Sequence, residues 1–151
     1  MVRLNPTVGT VVPLSGVPLR VVPPLEPGDH LTSAEFERRF DAMPGLKKAE
    51  LIEGVVYMAS PVRLDQHGEP HALVMFWLGT YWMHTPFTRI GDNISVRLDG
   101  DNTPQPDASM LLDPTKGGQA QLSADGSVEG APELIVEIAA STVSLDLNTK
   151  F

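Results

Sequence analysis

Two carboxylates stand in this chain where carboxylates are costly. Glu137 interrupts Leu134-Ile135-Val136-Glu137-Ile138-Ala139-Ala140, the most apolar run of the sequence, entered through Pro132 and left through Ser141-Thr142. Asp107 opens a second such run, Gln105-Pro106-Asp107-Ala108-Ser109-Met110-Leu111-Leu112. Runs of this kind read as strands buried on both faces. An ionised carboxylate in such a place needs hydrogen bonds, a counter-ion or a metal. Two acids at the mouths of neighbouring apolar strands form the donor set of a divalent-cation site. The alternative is that Asp107 closes a turn and Glu137 meets a buried arginine. Oxygen donors in a chain without cysteine favour Mg²⁺ or Mn²⁺ over Zn²⁺. On an ideal strand Ile135, Glu137 and Ala139 share a face, so the small Ala139 leaves room beside an ion. The Ile138 carbonyl is a further candidate oxygen ligand.

The elements that must position these residues belong to a chain of 151 residues, 42% hydrophobic, which suits one domain with a real core. With no cysteine, disulfides and thiolate metal sites are excluded, which fits a reducing, cytoplasmic compartment. No apolar stretch approaches a membrane span, and prolines interrupt every apolar run near the N-terminus, unlike a signal peptide. A net charge of −8 argues against coating nucleic acid by charge alone. It leaves room for an enzyme that holds one segment of nucleic acid over a metal ion.

Six of the 14 prolines fall at positions 6, 13, 18, 23, 24 and 27, so residues 1–30 read as an extended arm. The arm is expected to pack little on the core of the domain formed by residues 31–151, or to dock on a neighbouring chain. Thr32-Ser33-Ala34-Glu35 is a capping box, and Phe36, Phe40 and Met43 follow at helical spacing up to Pro44-Gly45. Ala49–Ile52 and Val55–Ala59 form a hairpin turned at Glu53-Gly54. Pro70 suits a first helical turn, and Leu73, Phe76, Trp77 and Tyr81 make an apolar stripe expected to pack across a sheet. Ile94–Leu98 alternates as a half-buried strand turned by Asp99-Gly100. Residues 113–131 read as a long polar loop with room for a hairpin, and Ser144 starts a last helix that the sequence leaves in mid-pattern. The fold class is α/β or α+β.

In order, the capped helix, the hairpin Glu50-Leu51-Ile52-Glu53-Gly54-Val55-Val56-Tyr57-Met58-Ala59-Ser60-Pro61, His71 opening a helix, Gln105-Pro106-Asp107, Gly130-Ala131-Pro132-Glu133-Leu134-Ile135-Val136-Glu137 and Lys150 make a specific combination. Over roughly residues 31–151 it resembles the Uma-two family of endonucleases, in the PD-(D/E)XK restriction-nuclease superfamily. The resemblance implies a restriction-endonuclease-like mixed sheet flanked by helices and hydrolysis of DNA phosphodiester bonds. By the same resemblance Asp107 and Glu137 bind Mg²⁺ or a similar ion, Glu50 fills an acidic position near the site, and a lysine positions the attacking water. The superfamily's lysine position, two after the Glu, is Ala139 here, and Lys150 matches the later position used within the family. The family pattern after the Glu is one residue shorter here, and Asp146 and Lys150 also form an i,i+4 helical pair. The family domain also continues beyond the last residue given, so the sequence reads as truncated at its C-terminus.

Other motifs fall away. His67-Gly68-Glu69-Pro70-His71 spaces two histidines at i,i+4, but the Glu is misplaced for a zinc protease and Pro70 is expected to break the helix. There is no phosphate-binding glycine loop and no nucleophile elbow. His71 could orient a phosphate or water, or simply cap its helix. Arg38, Arg39, Lys47 and Lys48 are the candidates for phosphate contacts, or else a solvated face. Two functions of different class follow: a metal-dependent DNA endonuclease, or a non-catalytic descendant of that fold serving binding or assembly, in one form as a homodimer.

Overall fold

The structure, a computed structural model, describes residues 22–58 and 61–139. Helix α1 spans Ser33–Asp41 and is capped by Thr32, whose hydroxyl accepts from the Glu35 amide at 3.4 Å. Glu35 does not complete the capping box. Its carboxylate turns outward to Arg38 and Arg39, each at 2.7 Å. Phe36 is buried and stacks on Phe40, so the apolar side of α1 faces a cluster with Leu25, Ala49, Leu51 and Val56.

Strands β1 (Ala49–Ile52) and β2 (Val55–Met58) pair antiparallel as expected, with Ile52 opposite Val55. Glu53 and Gly54 both take positive φ, 49° and 74°, the conformation of a two-residue turn that follows strand twist. All four residues of β1 are buried. Residues 1–21 of the expected arm lie outside the described residues. Its later part does not stand off the domain. Leu25 is buried in the α1–β1–β2 cluster, and residues 28–31 exchange backbone hydrogen bonds with β2 and its turn. Proline there breaks helix and ladder without preventing burial.

A π turn over Leu64–Gly68 runs into helix α2 (Glu69–His84). Strand β3 (Thr88–Asp92) follows, then β4 (Val96–Arg97), β5 (Ala108–Leu112), β6 (Gln121–Leu122), β7 (Val128–Glu129) and β8 (Leu134–Val136). The described strands group into three small sheets: β1-β2, β3-β5-β8, and β4-β7-β6, the last with β4 parallel to β7. The fold is thus α+β, as expected, with antiparallel and mixed sheets beside the helices. The β6–β7 hairpin fills the polar 113–131 segment, and Val128 closes a second cluster with Val96, Leu111 and Ala120.

Two sequence expectations are corrected. Strand β8 is half-buried, an edge strand among those described, and not buried on both faces. On α2 the expected core stripe lies outward: Leu73, Phe76, Trp77 and Tyr81 are exposed, and Leu78 is the buried residue. The reason is that α2 is apolar on nearly every side, so the sequence singles out no face; the side that packs on β3 and β5 is one among several.

Candidate active site

The central sheet puts the two predicted carboxylates at neighbouring strand ends. β5 pairs antiparallel with β8 in a register that sets Ala108 opposite Val136. Asp107 precedes that pair on one strand and Glu137 follows it on the other. Their depths differ: Asp107 is 3% exposed, whereas Glu137 is half-buried and not in a strand covered on both faces as expected. The deeper carboxylate is the one at the start of β5, because β5 has a strand on each side and β8 does not among the described residues.

Asp107 is gripped from several elements. Lys48, just before β1, places Nζ 2.8 Å from Oδ1 and 3.0 Å from Asn93 Oδ1. His67, in the π turn, places Nε2 3.0 Å from Oδ2, and the Ile138 amide donates to the same oxygen at 2.9 Å. The backbone carbonyl of Asp107 accepts from His71 Nε2 at 2.9 Å and from the Asn93 amide at 3.3 Å. An ionised carboxylate and a carbonyl can only accept, so both imidazoles present Nε2–H here. His71 Nε2 also lies 3.3 Å from Asp92 Oδ1. Burial pushes the Asp107 carboxyl up, but hydrogen bonds from Lys48 and the Ile138 amide, with the nearby charges of Lys48 and His67, outweigh it. The net effect holds Asp107 ionised, below the ordinary aspartate range.

Strand parity explains how β1 serves this site. Lys48 and Glu50 are two residues apart and reach targets two residues apart: Lys48 meets Asp107, while buried Glu50 accepts the Gln105 amide at 2.8 Å. Glu50 therefore anchors the segment that delivers Asp107. On the same side of β5, Ser109 has a buried hydroxyl with no hydrogen-bond partner among the described residues. It faces Gly91 of β3, where an added Cβ would come within 2.8 Å of that hydroxyl.

Other predicted residues fall outside this cluster or enter it differently. Lys150 lies outside the described residues. Ile138 enters through its amide, which donates to Asp107 Oδ2. Pro70 does not break α2. It sits in the first turn, where its missing N–H has no helical partner to lose, so His67 and His71 stay on one side with ring centroids 5.7 Å apart. Of the four basic residues proposed for phosphate, Arg38 and Arg39 clamp Glu35, Arg39 also reaches Asp29 at 3.2 Å, and Lys48 holds Asp107. Sequence reasoning did not assign Lys48 or His67 to Asp107, and it passed over Asp92 and Asn93. The K-x-E spacing on β1 and the i,i+4 histidines were the available signals.

Among the described residues no three His, Asp or Glu side chains are placed to hold a metal ion together. What the strand ends provide is one acidic residue on each of two paired strands. That fits Mg²⁺, which keeps several waters and takes one or two carboxylates, better than an all-protein cage. Asp107, buried and kept ionised, has the chemistry such an ion requires.

An α+β domain of antiparallel and mixed sheets beside helices has the make-up of a restriction-endonuclease-like fold. The family model described as "Uma2: Putative restriction endonuclease" matches residues 34–151, and the chain belongs to that family. No curated protein matches the chain.

Proposed function

We propose that this chain is a metal-dependent endonuclease that hydrolyses DNA phosphodiester bonds, with Asp107 and Glu137 as ligands of Mg²⁺ or Mn²⁺. The observation that carries the reading is Asp107 itself. It is buried and ionised at the end of the central strand, one register step beyond the Ala108–Val136 pair and so at the position that falls opposite Glu137. When bound, the ion neutralises charge at the phosphate and makes water a stronger nucleophile. The chain's own residues prepare that place. Lys48, His67 and the Ile138 amide orient the Asp107 carboxylate, His71 pins its backbone, and Glu50 fixes the segment leading to it. The Ile138 carbonyl, next to Glu137 in the chain, as a third oxygen ligand, and Lys150, on the strength of the resemblance, as the lysine that orients water complete the proposal. A cytoplasmic location goes with it, since DNA is there and the chain lacks cysteine. Among the described residues no helix is long and apolar enough to cross a membrane.

Thermal melting with added ion tests the site. Mg²⁺ or Mn²⁺ that binds only the folded state should raise the melting temperature, by a stabilisation of about 2.7 kcal/mol at a hundredfold excess over Kd. Glu137→Gln should keep the fold and lose the shift. Equal shifts in wild type and variant, or none in either, would remove the support.

A further inference from the structure

We propose that Lys48 is a built-in counter-cation that competes with a divalent metal for Asp107, and that Asn93 is the acceptor to which its ammonium withdraws. The inference rests on the two-carboxylate reading and adds to it a control on metal occupancy.

The hydrogen bonds single out one oxygen of Asp107 as the place where competition occurs. Oδ2 already accepts two donors, from His67 and the Ile138 amide, while among these contacts Oδ1 accepts one, from Lys48. A carboxylate oxygen has two lone-pair positions, so a cation approaching Asp107 finds room on Oδ1 and meets the ammonium there. Lys48 cannot leave by moving its backbone, because the next four residues are β1, buried throughout and paired to β2. Its side chain can swing. The same Nζ already shares Asn93 Oδ1 at 3.0 Å, so releasing Asp107 keeps one hydrogen bond.

Asn93 is fixed to serve as that second acceptor. It sits in the left-handed region at φ 50°, its amide donates to the Asp107 carbonyl, and its Nδ2 donates to Asp92 Oδ1 at 2.7 Å. Its Oδ1 is thereby turned to Lys48. The arrangement has a physical purpose on both sides of the exchange. Without metal, Lys48 keeps a buried carboxylate from standing unpaired, which is strongly destabilising. With metal, two cations on one oxygen repel, so the ammonium must yield, and the ion binds more weakly than it would to Asp107 alone.

Calorimetric titration of the full chain with Mg²⁺ and Mn²⁺ tests this directly. An opposite charge a few ångströms away lowers a carboxylate's proton affinity by roughly ten- to a thousandfold, and the same field acts on a metal ion. Lys48→Met should therefore bind each ion about tenfold tighter or more, by that same charge effect. Lys48→Arg, which keeps the charge, should bind as wild type or more weakly. Asp107→Asn added to Lys48→Met should abolish binding. If wild type binds and Lys48→Met binds no tighter, the competition is wrong while the metal site stands. If folded wild type and folded Lys48→Met both fail to bind, the competition and the metal site fall together. Should Lys48→Met not fold, amine labelling of wild type read by mass spectrometry supplies the answer. Saturating Mn²⁺ should raise labelling at Lys48 while its exposed neighbour Lys47 stays constant. Unchanged Lys48 labelling at a metal concentration where calorimetry shows binding would overturn the proposal.

Discussion

At its N-terminal end α2 turns His71 toward Asp107, a residue that receives hydrogen bonds from Lys48, His67, Ile138, His71 and Asn93. Further along the same helix, Phe76, Trp77, Tyr81 and Trp82 lie between 44% and 76% exposed. One region buries charge and the other exposes aromatic carbon, the reverse of what residue type alone suggests. Polar groups are buried when specific partners reach them, and five donors from four parts of the chain reach Asp107. Apolar side chains need only some apolar surface, and α2 has more apolar faces than β3 and β5 can cover. Identity of a side chain therefore predicts what it requires, and the fold decides whether the requirement is met.

Substitutions along α2 sharpen this contrast. Leu78→Ala removes the helix's one buried side chain and should cost about 2–5 kcal/mol, read by chemical denaturation. Asp107→Asn keeps the shape but weakens the grip of Lys48, His67 and the Ile138 amide, and should cost about 1–3 kcal/mol in the same assay. A stability change near zero for Asp107→Asn would mean that the polar cluster is held by its surroundings rather than by this carboxylate. Phe76→Ala, on the exposed side, should stay within about 0.5 kcal/mol despite deleting a larger side chain than Leu78→Ala. A loss as large as that of Leu78→Ala would show that the outer face is covered in solution.

The smallest effect concerns the ion pairs of α1. Hydrogen bonds from Arg38 and then Arg39 lower Glu35 to about 2. Because the folded value lies below the unfolded one, the contribution is fully present above the unfolded value and lost as pH falls through the folded value. The stability difference between wild type and Glu35→Gln should thus be constant above about pH 5 and shrink toward zero near pH 2. Solvent screening keeps it small. A difference that grows on acidification would reverse the assignment.

Local rules made α1 and the β1–β2 hairpin legible, because a Thr cap, helical spacing of Phe36 and Phe40, and the Glu53-Gly54 turn are decided within a few residues. Strand β3 was not legible. Thr88-Arg89-Ile90-Gly91-Asp92 carries a glycine in its interior and two charged residues, and its strand form comes from pairing all five residues with β5. The prominence of Asp107 was visible from an acid opening an apolar run. Its partners were not, since Lys48 lies 59 residues away in sequence and His67 lies 40 away. Contacts of that range are set by strand order and helix placement. The relative depth of the two carboxylates was not legible for the same reason: β5 gains strands on both sides, while β8 has one neighbour among the described residues.

Cleavage of supercoiled plasmid by wild type and Asp107→Asn, each with Mg²⁺ and with EDTA, tests the central claim most directly. Melting curves taken beside the assay establish that both proteins are folded. The account predicts nicked or linear product from wild type in Mg²⁺, none in EDTA, and none from Asp107→Asn under either condition. Equal cleavage by both proteins, or intact plasmid with folded wild type that demonstrably binds the ion, would contradict it.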